Sequence, residues 1–153
     1  LTAEEVTASL EGVDPETFSI LSLMRFLLDT HVLLWYDTEP ERIPTPTLRL
    51  LRDRSNEVFV SAISAWELGI KFYLGRLPAA EGLIRAFEGT IQTYGFQSLP
   101  FTSVHALKAA ALPHEHRDPF DRALVAQALT EQLLLVSRDP ALDQLGVRRF
   151  WER

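Results

Sequence analysis

Asp29, Glu67, Asp118, Asp121 and Asp139 each stand where an apolar run stops or a helix-like run begins, although they are spread over more than a hundred positions of chain. In an alternating strand and helix protein the carboxyl ends of parallel strands open on one crevice, so acids at several strand ends can converge there. Converged carboxylates repel one another unless a cation sits among them. A hard divalent ion held by oxygen, Mg²⁺ or Mn²⁺, resolves that repulsion, and such sites serve phosphate-ester chemistry.

Each acid also has a plainer reading. Asp29 follows Leu27-Leu28 and could simply cap a helix, since Asp is a favoured N-cap. Thr30 could do that capping instead, which leaves Asp29 poised at the crevice. Glu67 lies about two turns into a run in which Ile63, Trp66, Ile70 and Tyr73 form a helical stripe expected to face the core. About 100° round from Trp66, Glu67 could be a solvated helix residue, a partner of Lys71 at i+4, or a ligand. Asp118 and Asp121 share one side of a helix amino terminus, with Asp118, before Pro119, the better cap and Asp121 the better ligand. Arg117 and Arg122 could pair with these acids or orient a phosphate through bidentate hydrogen bonds. Asp139 follows the apolar run 133–136 by way of Ser137-Arg138 and precedes Pro140, so a turn aspartate is the alternative. Five carboxylates at suitable element ends are a stronger signal than any one of them.

Other chemistry is poorly supported. His114 and His116 flank Glu115 in a loop, and two histidines without a third placed ligand do not make a zinc site. Ser61, Ser64 and Ser137 lack a histidine base and a nucleophile-elbow motif. Gly-rich phosphate loops are absent, which counts against nucleotide cofactors. Trp35, Trp66 and Trp151 read most simply as core or interface aromatics, with base stacking open to any that are exposed.

The elements that would position the acids alternate from Met24 onward, predicting an α/β fold with a parallel sheet covered by helices. Strands are expected at 25–29, 57–60, 96–99, 133–136 and, as an edge, 147–150. Helices are expected from Thr30 to Tyr36, Thr47 to Arg54, Ser61 to Tyr73, Ala80 to Thr93, Ser103 to Leu112 and Asp118 to Gln132, with Pro40, Pro44 and Pro46 in a loop. Gly82 and Gly89 weaken the helix at 80–93.

The 153 residues, 46% of them hydrophobic, suit one domain. There is no cysteine, hence no disulfide or thiolate site. No run of about 18 apolar residues or secretory signal occurs, so a cytoplasmic protein with no membrane association is expected. The net charge of −6 is uneven: five acids and no base lie in residues 1–23, leaving 16 acids against 15 bases in the rest. A nearly neutral body with some acids neutralised by metal tolerates a polyanion. The single methionine, Met24, stands directly before the first strand in the position of a start. Residues 1–23 therefore read as an acidic amino-terminal extension outside the domain at 24–153. The alternative is a genuine acidic helix from Ala3 to Leu10, whose apolar end could dock on a neighbour.

Leu27-Leu28-Asp29-Thr30-His31, Ser64-Ala65-Trp66-Glu67, the block from His116 to Arg122 with Ala126 and Ala128 after it, and Val136-Ser137-Arg138-Asp139 occur in an order and spacing that resembles the PIN-domain ribonucleases. The likeness is greatest to the VapC-type toxins of bacterial toxin–antitoxin pairs, and it covers 24–153 but none of 1–23. It implies a three-layer sandwich with a mostly parallel sheet of four to five strands between helices. It further implies that Asp29, Glu67, Asp121 and Asp139 bind Mg²⁺ or Mn²⁺ and catalyse RNA hydrolysis, with Asp118, Ser137 and Arg122 accessory. Ser137 stands where the family often has threonine. The implied partners are an RNA substrate, a cognate antitoxin that inserts a peptide into the acidic crevice, and a second copy of the chain. A catalytically idle PIN-like binding module would be expected to have lost an acid, and a related DNA nuclease to carry helical insertions. A receiver domain would need adjacent acids after its first strand and a late lysine, which this chain lacks.

Overall fold

The computed structural model describes residues 23–153, so the expected acidic extension, apart from Leu23, lies outside the described residues. Five parallel strands form one sheet in the order β3-β2-β1-β4-β5. They are β1 (Arg25–Leu28), β2 (Glu57–Ser61), β3 (Gln97–Leu99), β4 (Leu134–Val136) and β5 (Arg149–Phe150). β1 is central, pairing Phe26 with Val58 on one side and with Leu134 on the other. The chain winds outward from β1 to β3, then returns to β1's other edge with β4. The crevice at such a reversal, beyond the strands' carboxyl ends, is where ligands bind in open α/β sheets.

Period-two alternation divides the sheet between two cores. Phe26, Leu28, Val58, Val60, Val136 and Phe150 face one way, with α1 (Thr30–Thr38) and α2 (Thr45–Arg52) packed on them. Leu27 and Leu135 face the other way, against α7 (Pro119–Glu131). The remaining helices are α3 (Ala62–Tyr73), α4 (Glu81–Arg85), α5 (Phe87–Thr93) and α6 (Ser103–Ala111). Helices thus cover both faces, giving three layers. Among the described residues no helix is long and apolar enough to cross a membrane.

Local chemistry explains where element ends differ from expectation. α2 begins at Thr45, not Thr47, because Pro46 falls in the first turn, where its missing N–H is no loss. The helix expected over 80–93 breaks at Ala86 (φ −135°), and the break lets Leu83 and Ile91 both reach the core. α3 ends at Gly75, whose φ of +76° supplies the left-handed residue that closes it.

Candidate functional site

β1 and its neighbour β4 deliver the first two acids. Asp29 occupies the N-cap position of α1 with extended backbone, yet its side chain makes no capping bond. Thr30, expected as the cap, is instead the first helical residue. The Asp29 carboxylate is 8% exposed, and its Oδ2 accepts from Ser137 Oγ at 2.7 Å. Ser137 Oγ also accepts from the Asp139 backbone N–H at 3.1 Å, so one buried hydroxyl links the loops that follow β1 and β4. Burial raises the Asp29 pKa above the ordinary carboxylate range, and Glu67 pushes the same way; Ser137, His31 and the Thr30 N–H oppose the shift. Asp139 is exposed and its Oδ1 accepts from the Ala141 N–H at 3.0 Å, the turn role open to it from sequence.

α3 brings Glu67. Of the stripe expected to face the core only Ile63 is buried: Ile70 is half-buried, Trp66 is 60% and Tyr73 80% exposed, and the buried face is Ile63, Ser64, Glu67 and Leu68. A rotation of one residue, about 100°, separates the two arrangements. It explains how an acid one position from a tryptophan comes to be 3% exposed. The Thr30 and Ser64 hydroxyls bond at 2.9 Å, tying the start of α1 to α3 one turn before Glu67. Lys71 Nζ donates to Glu67 Oε2, the i+4 pairing.

α7 brings Asp118 and Asp121. Asp118 is its N-cap, Oδ1 accepting from the N–H groups of Phe120 (2.9 Å) and Asp121 (3.2 Å). Asp121 lies 2.9 Å from His116 Nε2 through Oδ2. Its pKa is pushed up to about 6, first by burial, then by the charges of Asp118 and Asp29, against the pull of His116. Arg122, expected beside the acids or a phosphate, is committed elsewhere: its guanidinium donates to the carbonyls of Pro113, His116, Ala109, Ala110 and Leu112. It closes the end of α6 and braces the loop that carries His116.

Asp29 is therefore the hub. It senses the charges of Glu67 and Asp121 and is linked through Ser137 to the Asp139 backbone. No three acidic or histidine side chains among the described residues stand close enough to hold a metal ion as placed. Lys71 and His116 occupy two of the acids instead. The i, i+4 pairing of Lys71 was open in the sequence, whereas His116 reaches Asp121 across an irregular loop whose path no spacing rule gives. A cleft of about 400 Å³ opens beside the hub, lined by Asp29, His31, Trp35, Arg138 and Asp139.

The PIN domain family model matches residues 26–147. Ribonuclease VapC22 of Mycobacterium tuberculosis (strain ATCC 25618 / H37Rv) is 29% identical over 117 residues, 76% of this chain and 88% of that protein. The crystal structure of VapBC2 from Rickettsia felis bound to a promoter DNA fragment is similar with a TM-score of 0.63 at 16% identity, over 84% of this chain and all of the matched one. FitAcB from Neisseria gonorrhoeae is similar at 0.56 and 25% identity, over 82% and 96%.

Proposed function

Since the chain belongs to the PIN domain family, we propose that it is a Mg²⁺- or Mn²⁺-dependent endoribonuclease, the toxin of a toxin–antitoxin pair acting in the cytoplasm. The observation that carries this is the hub: a buried Asp29 at the sheet's switch point, in the field of Glu67 and Asp121 and linked through Ser137 to the loop of Asp139. The likeness to a ribonuclease of the VapC type supports RNA as substrate.

The donor set suits a hard divalent ion, because every acid offers carboxylate oxygen. Asp29 and Asp121 are both held above the ordinary carboxylate range, a strain that a cation among them relieves. These two would be the principal holders once His116 releases Asp121, with Glu67, once Lys71 releases it, and Asp139 completing the set. When bound, such an ion polarises the phosphoryl oxygens and eases deprotonation of the attacking water. Ser137 fixes the Asp29 carboxylate from below, Asp118 holds the first turn of α7, and Arg122 holds the loop before it. Lys71 holds Glu67 and His116 holds Asp121 until then.

Partner contacts have room on α3. Trp66, Tyr73 and Leu74 are exposed, and with Ile70 and Gly69 they line an apolar cleft of about 510 Å³; Val104 and Leu107 on α6 are exposed too. Apolar faces of this kind mark protein contacts. A second copy of the chain accounts for them, and the likeness to VapBC2 and FitAcB supports an antitoxin as the further partner.

The full chain incubated with a panel of RNAs should cleave with Mn²⁺ or Mg²⁺, stop on chelation, and fail as Asp29→Asn or Asp121→Asn. The internal pairing of Glu67 with Lys71 and of Asp121 with His116 is also what a non-catalytic binding module would show. No cleavage under either metal, or an Asp121→Asn protein as active as wild type, decides for that module.

A further inference from the structure

The cleft beside Asp29 contains a cation that the acids do not use. Ser137 bonds both Asp29 and the Asp139 backbone, so the main chain of Arg138 is fixed between two acid positions. Its side chain pairs with neither. Among the described residues it has no ion pair, and its guanidinium carbon lies 4.7 Å from the centre of the Trp35 ring. Arg42 approaches the same ring at 5.4 Å, but its charge is paired with Glu39 at 2.7 Å. Trp35 is a firm support, buried to 7% exposure and packed on Trp151 with ring centres 6.2 Å apart. A guanidinium held by an aromatic ring is restrained in position while its N–H donors stay available to an acceptor.

We propose that Arg138, held on Trp35, is a positioning residue for the RNA strand, gripping a phosphate next to the one that is cut. The assignment rests on the ribonuclease reading. A strand whose scissile phosphate lies at the acids must place a neighbouring phosphate nearby, and the cleft shared by Asp29, Asp139, His31 and Arg138 is a route along which the exposed Arg138 would meet it. Asp29 and Asp139 line the same cleft, yet among the described residues neither forms an ion pair with Arg138. Here the guanidinium keeps its charge for an outside anion.

The test compares steady-state RNA cleavage by the full-length wild type, Arg138→Gln and Arg138→Lys in Mn²⁺ across a range of salt. Loss of one charged phosphate contact should raise KM about tenfold in Arg138→Gln with kcat nearly unchanged. The slope of log(1/KM) against log salt should flatten by about 0.7, the value for one contact on a single strand. Arg138→Lys should restore the slope and part of the KM. Wild-type KM and slope in Arg138→Gln overturn the assignment, as would be seen if Arg138 served a carboxylate of a protein partner. A raised KM with an unchanged slope overturns it too, since that is what general loosening produces. If Arg138→Gln melts early, Arg138→Lys decides: KM raised with the slope kept supports the contact, and unchanged KM overturns it. A wild type that cleaves no RNA removes the ribonuclease reading itself, whereas an active wild type with an indifferent Arg138→Gln removes only the role of Arg138.

Discussion

Two polar clusters draw on α3 and α7, and they are built to opposite ends. Around His105, every strong donor meets an acceptor of the chain. His105 Nδ1 accepts from the Thr102 N–H at 3.0 Å, its Nε2 bonds Glu131 at 2.8 Å, and Gln127 takes the Ser61 hydroxyl while donating to the Pro100 carbonyl at 3.2 Å. Ser61 in turn caps α3 through the Ile63 N–H. Around Asp29, carboxylates are buried within reach of one another's charge, and the structure raises the pKa values of Asp29 and Asp121. Burial of polar groups does not by itself distinguish a site from a scaffold. Like charges that raise one another's pKa do, because a chain under selection for stability alone would have separated or removed them. The clusters also cooperate: the first locks α3 to α7, the helices that carry Glu67 and Asp121.

The comparison is broken most directly by exchanging the effects of substitution. Asp29→Asn or Asp121→Asn should lower RNA cleavage by about 10²–10³-fold, the scale of losing one preorganised group that stabilises transition-state charge. The melting temperature should hold or rise, since a repelled buried charge has gone. His105→Ala should do the reverse. It removes the acceptor of the Thr102 N–H and leaves a cavity, a destabilisation of roughly 2–4 kcal/mol in denaturant unfolding. Its folded fraction should retain the wild-type kcat. Should His105→Ala abolish cleavage while remaining as stable as wild type, the division between holding and held clusters fails.

Metal addition sharpens the same contrast on a smaller scale. Mn²⁺ at a hundred times its Kd should stabilise the wild type by about 2.7 kcal/mol. His105→Ala should gain the same increment from its lower base, and Asp29→Asn almost none. An equal gain in all three proteins, read by thermal melting, would place the ion away from the acids.

The sequence makes the strands and most helix ends legible because alternation, caps and prolines act locally. Asp29 and Asp118 are readable for the same reason, each standing at the N-cap position of a helix. α3 is not. Hydrophobic periodicity turns Ile63, Trp66, Ile70 and Tyr73 inward, but the packing seats Ile63 with Ser64 and Leu68 and carries Glu67 in with them. A stripe made for a partner and a stripe made for the core have the same period, so the rotation is decided only by tertiary fit. Arg122 shows the converse limit. Its position among acids suggests charge chemistry, while its carbonyl partners lie on a loop and a helix end whose geometry exists only in the folded chain. Family resemblance singles out Glu67 as a site candidate, but its burial is visible only in the folded chain.

The smallest effect is the most specific to Asp121. Its ordinary pKa of 3.8 rises to about 6 on folding, so between those values the folded protein holds a proton that the unfolded chain has released. The stability carried by that protonated carboxyl is fully present below about pH 4 and is lost as pH rises through about 6. Asp121→Asn has no such proton to lose. Without metal, its melting temperature should therefore gain on that of wild type across this window and run parallel above it. The side chain is 22% exposed, and screening by water reduces the difference to the order of 1 kcal/mol, or roughly 2–4 °C. Saturating Mn²⁺ should reverse the sign above pH 6, where the ionised carboxylate is the form a metal binds. A melting difference that stays flat from pH 4 to 7 would mean that Asp121 is an ordinary carboxylate, and that the acid cluster is no more strained than the one around His105.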